Sequence, residues 1–216
     1  MARRPRQARS ETVRRRVGGK AVSRKKRAGD VITRKADSKL EHVVRLWATA
    51  LGPHCERGTS ALLERELLLV GVAELDRLLL SYEATSKLFA TLFDLVLSFD
   101  VRGEAVDGSE IELAAGSRGF VGTGDGREIA RILSNPLVLE RVDGLGVTGA
   151  GAVFSQEDGL WRVRMKSLVG SSTWNLLPPV LQLIEPDLDD CIRGMELVRM
   201  MCAALGGQRL GPDSLC

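Results

Sequence analysis

From Met1 to Lys39 the apolar residues are few and small, mostly Ala and Val, with no aromatic residue and no leucine. Such a segment buries too little surface to offset the entropy of ordering, so it is expected to stay disordered. The pattern changes at Leu40. Leu40, Val43, Val44, Trp47 and Leu51 recur at helical spacing until Gly52 and Pro53, which predicts a short amphipathic helix. A second helical region is expected after Thr59 or Ser60, running through Leu62, Leu63, Leu67, Leu69, Val70, Leu75, Leu78 and Leu79, with Gly71 and the Ser81, Tyr82 pair as interruptions. A third, over Ala84–Ser98, would place Leu88, Leu92, Leu95 and Phe99 on one stripe.

Beyond Val101 the pattern alternates. Asp107 and Gly108 favour the tight turn of a hairpin within Val101–Leu113. Asp125 and Glu128 have the spacing of a capping box and predict a short helix closed by Asn135 and Pro136. Leu137–Val142, Val147–Phe154 and Leu160–Val169 read as strands, the last two joined by a hairpin loop at Gln156, Glu157, Asp158 and Gly159. Ser171 or Ser172 could cap a short helix broken by Pro178 and Pro179. A final helix over Asp187–Leu205 gathers Asp187, Asp189 and Asp190 at its positive end and stops at Gly206 and Gly207. The expected class is α+β. N-terminal helices precede a small antiparallel sheet of three to five strands with an inserted helix, a C-terminal helix packs on the sheet, and a disordered basic arm leads the chain. The expected boundaries are 1–38 for the arm, 39–207 for one globular domain and 208–216 for a short tail.

Charge sharpens this division. The formal net charge is only +3, yet residues 1–40 hold fifteen Lys and Arg against three acidic residues, for +12, which leaves about −9 on the remainder. The arginines and lysines cluster as Arg3, Arg4 and Arg6, then Arg14, Arg15 and Arg16, then Arg24, Lys25, Lys26 and Arg27. These ten are the candidate nucleic-acid-binding residues, because clustered cations neutralise phosphates without reading bases. The nine aromatic residues do not interleave with the basic ones, which argues against recognition by base stacking.

Catalytic and metal chemistry find thin material. Cys55, Cys191, Cys202 and Cys216 lie far apart and suggest reduced thiols rather than a disulfide framework. His42 and His54 are the only histidines, and His54 beside Cys55 lacks the second cluster a zinc site needs. The glycine run Gly116–Gly126 lacks the lysine of a nucleotide loop and the fingerprint of a dinucleotide site, and reads as a bend. Arg162, Arg164 and Lys166 give one strand a basic side, read as an ordinary solvated face. In the last helix Cys191, Met195, Val198, Cys202 and Leu205 form an apolar stripe that serves either the core or a partner, with Met195, Val198 and Met201 as candidate interface residues. No catalytic residue, metal or cofactor is expected.

The reading is a non-enzymatic intracellular protein, nuclear if eukaryotic. Its arm associates with nucleic acid or another polyanion, and its acidic body binds a protein partner or itself, with no membrane contact. The arm could alternatively be an import signal or an organellar presequence. The competing class is a small-ligand domain or enzyme using the bend near Gly122, with the arm as a targeting segment.

Overall fold

The computed structural model describes residues 19–70, 75–114 and 119–206, with side chains from Asp30 onward. Its first element is helix α1, Gly19–Leu51, roughly 50 Å long at the usual rise per residue. Ala36, Leu40, Val43, Val44, Trp47 and Leu51 form its buried stripe. The helix therefore begins about twenty residues before the expected start and takes in the second half of the expected arm. Packing of its C-terminal half supplies the nucleus, and the Ala-, Lys- and Arg-rich sequence before it extends an existing helix at little cost. Residues 1–18 and the tail 208–216 lie outside the described residues.

After a single 3-10 turn, Gly52–His54, the chain enters strands β1, Cys55–Ala61, β2, Glu64–Leu69, β3, Arg77–Ser86, and β4, Ala90–Arg102. Both helices expected between Ser60 and Ser98 are thus strands. Leucine-rich segments satisfy a period of 3.6 and a period of 2 almost equally well, and here the second prevails. Leu67 and Leu69 are buried around exposed Leu68, while Phe93, Leu95, Leu97, Phe99 and Val101 alternate on one face of β4.

The Asp107–Gly108 turn leads into β5, Glu110–Leu113, but not as the expected hairpin: β5 pairs with β6, Phe120–Gly122, and not with β4, which lies elsewhere in the sheet. Helix α2, Gly126–Leu133, is the expected inserted helix. Leu137–Val142, expected as a strand, belongs instead to helix α3, Pro136–Gly144. Asn135 accepts from the Leu137 amide at 3.0 Å and Pro136 occupies the first turn, so this pair opens a helix rather than closing one. Strands β7, Val147–Ser155, and β8, Leu160–Asn175, form the expected hairpin. β8 runs through Ser171 and Ser172, where a helix was expected, and pairs with β9, Val180–Leu183. Helix α4, Leu188–Leu205, closes the domain, its start fixed by a reciprocal capping box between Asp187 and Asp190.

Among the described residues all nine strands join one antiparallel sheet in the order β1-β2-β3-β4-β8-β7-β5-β6, with β9 on the far part of β8. This is larger than the three to five strands expected, because two of the expected helices contribute strands. α1 packs against β2, β3 and β8, and α4 against β4 and α1. Pairing registers carry one inward row across five strands, Arg65, Leu80, Leu97, Met165 and Ala150. Where the two helices meet, Gly194 of α4 lies against the Trp47 ring, which sits 2.5 Å from where a β-carbon would be.

Gly194→Ala should therefore lower stability despite its better helix propensity. Overpacking against a buried indole costs about 1–3 kcal/mol, against about 1 kcal/mol gained in the helix. Urea unfolding should show the loss in the parent and little or none in a Trp47→Leu background; equal losses in both would detach Gly194 from Trp47.

Candidate polyanion-binding surface

α1 carries the third basic cluster as helical positions, Arg24, Lys25, Lys26 and Arg27, followed by exposed Arg34 and Lys35. The side chains of the cluster, and the whole of Arg3, Arg4, Arg6, Arg14, Arg15 and Arg16, lie outside the described residues. The structure does show how the helix that bears the cluster is held. Arg65 points from the inward face of β2 toward α1, where its Nη2 donates to Asp37 at 2.9 Å and its Nε to Glu41 at 3.0 Å. Arg57 donates to Glu41 at 2.5 Å, Arg45 to the same carboxylate at 3.3 Å, and the Leu63 amide to Asp37 at 2.7 Å.

The electrostatics follow from this geometry. The Arg57 hydrogen bond, helped by those of Arg65 and Arg45, outweighs desolvation and brings the Glu41 carboxyl down to about 2. Burial alone would raise Asp37, but the Arg65 and Leu63 hydrogen bonds prevail and hold it below the usual carboxylate range. Arg65, only 11% exposed, is pushed upward by Asp37 and Glu41. The two acidic residues of the helix in this region are thus consumed in fastening it, which leaves the exposed cations beyond them without carboxylate partners from Asp37 or Glu41.

The basic side of β8 has a different fate. Arg164 and Lys166 both meet Glu83 of β3, Lys166 at 2.8 Å, and Arg162 meets Asp158. At the same sheet face Arg77 donates to Asp100 at 3.0 Å. This stripe is internally neutralised, in keeping with the solvated face expected of it.

The bend near Gly122 is held from within. A β-carbon at Gly122 would collide with the Gly126 backbone, and one at Gly126 with the Glu110 carbonyl. Glycine here permits close backbone contact rather than approach of an anion. Asp125 and Glu128 make no capping box: Asp125 accepts from the Val106 amide at 2.7 Å and Glu128 from Arg131 at 2.9 Å. The open cleft alongside is lined by Glu104, Asp125, Glu128 and Asp158 against Arg102, an acidic setting that disfavours phosphate.

Met195, Val198 and Met201 are buried at 4% exposure or less, where α1 and the sheet cover the stripe, so within this fold it serves the core. Cys191 and Cys202 are buried on it too, and burial together with Asp190 and Asp187 pushes the Cys191 thiol up to about 12, far from a nucleophile. His42 Nε2 meets Glu185 Oε1 at 2.7 Å, linking α1 to the chain before α4. Among the described residues no group of three or more His, Cys, Asp or Glu converges as a metal would require. No helix there is long and apolar enough to cross a membrane.

Fold and surface together define an α+β protein in which a single curtain of antiparallel strands carries its long helices, the first of them bearing a basic segment. The chain belongs to the family described as "Protein of unknown function (DUF3156)", whose model matches residues 50–205, the sheet with α2, α3 and α4. No curated protein matches the sequence.

Acid should loosen the α1 fastening. Because Glu41 ionises lower in the folded chain than in the unfolded one, its contribution is complete above the ordinary carboxylate value of 4.5 and is lost as pH falls toward about 2. Glu41→Gln should cost roughly 1–2 kcal/mol at neutral pH and flatten this acid limb of the urea midpoint. An unchanged limb would place the acid sensitivity elsewhere.

Proposed function

We propose that the chain is a non-enzymatic protein that associates with nucleic acid, or with a polyanion of the same charge density, through its basic N-terminal segment. The observation that carries this reading is the continuity of α1. The helix positions of Arg24, Lys25, Lys26 and Arg27 run without a break into a stripe packed on the sheet and fastened by Arg65. Clustered cations at helical positions suit a run of phosphates, and each phosphate neutralised releases condensed counterions. The internally paired face of β8 and the acidic cleft beside α2 leave the N-terminal segment as the surface best suited to phosphate. In a nucleated cell the same clusters would suit nuclear import.

Binding should depend on charge rather than base identity. Fluorescence anisotropy of the full chain with unrelated duplexes should show affinity falling by orders of magnitude from about 50 to about 200 mM salt. Replacing Arg14, Arg15 and Arg16 by Ala, or Arg24, Lys25, Lys26 and Arg27 by Gln, should weaken all duplexes alike and flatten the salt slope by about 0.9 for each phosphate no longer neutralised. Absence of binding at low salt, or indifference to both sets of substitutions, would refute the proposal. Truncation at Lys39 is the wrong control, since it would remove Asp37 and cut α1 within its packed stripe.

A further inference from the structure

One end of the sheet differs chemically from the rest of the body. The β3–β4 turn presents Leu88 at 84% and Phe89 at 63% exposure, and the β8–β9 turn presents Leu176 at 52% and Leu177 at 81%. The two turns are one surface. Ala90 pairs with Asn175 at the end of the β4–β8 ladder, and beyond it the Leu176 amide donates to the Phe89 carbonyl at 2.9 Å. Four large apolar side chains displayed together at the tips of two adjoining turns are unusual on a protein surface and mark a place of contact.

Charge indicates what the contact is. In a body of about −9, no carboxylate occurs from Ala84 to Phe93 or from Ser167 to Ile184, and the only charged residue in those two segments is Lys87 in the first turn. A cation lies behind the tip instead. The Lys35 ammonium lies 5.3 Å from the Trp174 ring, just behind the β8–β9 turn, with exposed Arg34 beside it. Following α1 toward its N-terminus, Trp47 lies level with Leu97, Val43 with Leu95 and Gly170, and Lys35 with Trp174, so the helix advances toward this end of the sheet. It then continues for about sixteen more residues, roughly 20–25 Å, through the positions of Arg27, Lys26, Lys25, Arg24 and Lys20.

We propose that this end of the sheet docks on an anionic phospholipid bilayer, with the Leu88–Phe89 and Leu176–Leu177 turns entering the headgroup–acyl boundary and the basic part of α1 lying against the headgroups. Protruding apolar turns suit a yielding bilayer, whereas a protein partner would have to supply matching grooves for two separate tips. Apolar insertion and attraction of Lys and Arg to anionic lipid act together in such docking, and neither requires a spanning segment. This proposal departs from the expectation of no membrane contact, which was drawn from the lack of such a segment. The proposal shares the basic part of α1 with the polyanion reading and adds to it the two apolar turns, which take no part in phosphate binding.

The test is cosedimentation of the full chain with vesicles of phosphatidylcholine containing about 30% phosphatidylglycerol, beside vesicles of phosphatidylcholine alone. Binding should be at least about ten-fold stronger to the mixed vesicles. The pairs Leu88→Ser with Phe89→Ser, and Leu176→Ser with Leu177→Ser, should each cut that binding about ten-fold, keeping the parent's thermal midpoint and duplex affinity, since these side chains project into solvent. Three results would overturn the proposal. The parent could ignore both vesicle types; the tip variants could bind as well as the parent, leaving charge alone at work; or the tip substitutions could abolish a concentration-dependent dimer in a chain that binds no vesicles, making the tip an interface between copies. Loss of duplex binding with vesicle binding retained would sink the nucleic-acid reading and leave this one standing.

Discussion

The crossing of α1 over α4 depends on a missing β-carbon. Gly194 lets the edge of the Trp47 indole approach the α4 backbone, and the two helices then share the inward face of the β4–β8 pair. The indole lines one small cavity together with Leu97, Leu145, Met165 and Leu197, at the point where both helices meet the centre of the sheet. The fit leaves a cavity of only ≈ 20 Å³ there, about the room of one water molecule. A larger residue at position 194 would lift α1, and with it the basic segment that continues from its N-terminal end.

The second constraint is electrostatic. Arg65 stands at the end of an inward row that otherwise holds Leu80, Leu97, Met165 and Ala150, a position where an unpaired charge would be costly. Asp37 and Glu41 satisfy it, and in doing so they set the rotation and axial position of α1 on the sheet. A buried pair of this kind contributes more to register than to net stability, because desolvation consumes much of the Coulombic gain. The body's remaining acidic surplus lies elsewhere, notably around the cleft beside α2, while the turns at the other end of β4 carry no carboxylate. Among the described residues the two ends of the sheet therefore differ, with exposed apolar turns free of carboxylates at one and an acidic cleft at the other.

Much of this was legible in the chain. The α+β class, the helical stripe from Leu40 to Leu51, the Asp107–Gly108 turn, the β7–β8 hairpin and the last helix all follow from local chemistry, since a periodic stripe, a turn dipeptide or an acidic helix start needs no distant partner. The segment from Leu62 to Ser98 was not legible in that way. Its leucines fit two periods, and the choice fell to hydrogen bonding with β8, a strand some seventy residues away in sequence. Leu88 illustrates the cost of the wrong period. As part of a helical stripe it would be core, whereas at a turn between two strands it is among the most exposed apolar residues described.

Composition and spacing alone settled the segregation of charge and the lack of a second cysteine or histidine cluster to join His54 and Cys55, because neither changes when a chain folds. The sequence also determined which residues could be core, though not which core. Only the tertiary structure decided that Met195, Val198 and Met201 face inward, that Glu83 neutralises the basic side of β8, and that Asp37 leaves the basic segment's chemistry to become an anchor. It alone brought Leu88 and Phe89 beside Leu176 and Leu177, nearly ninety residues apart, and set Lys35 behind them. The reason is the same in each case: a side chain's partner in an antiparallel sheet is fixed by ladder register across long loops, a non-local quantity that no window of sequence contains.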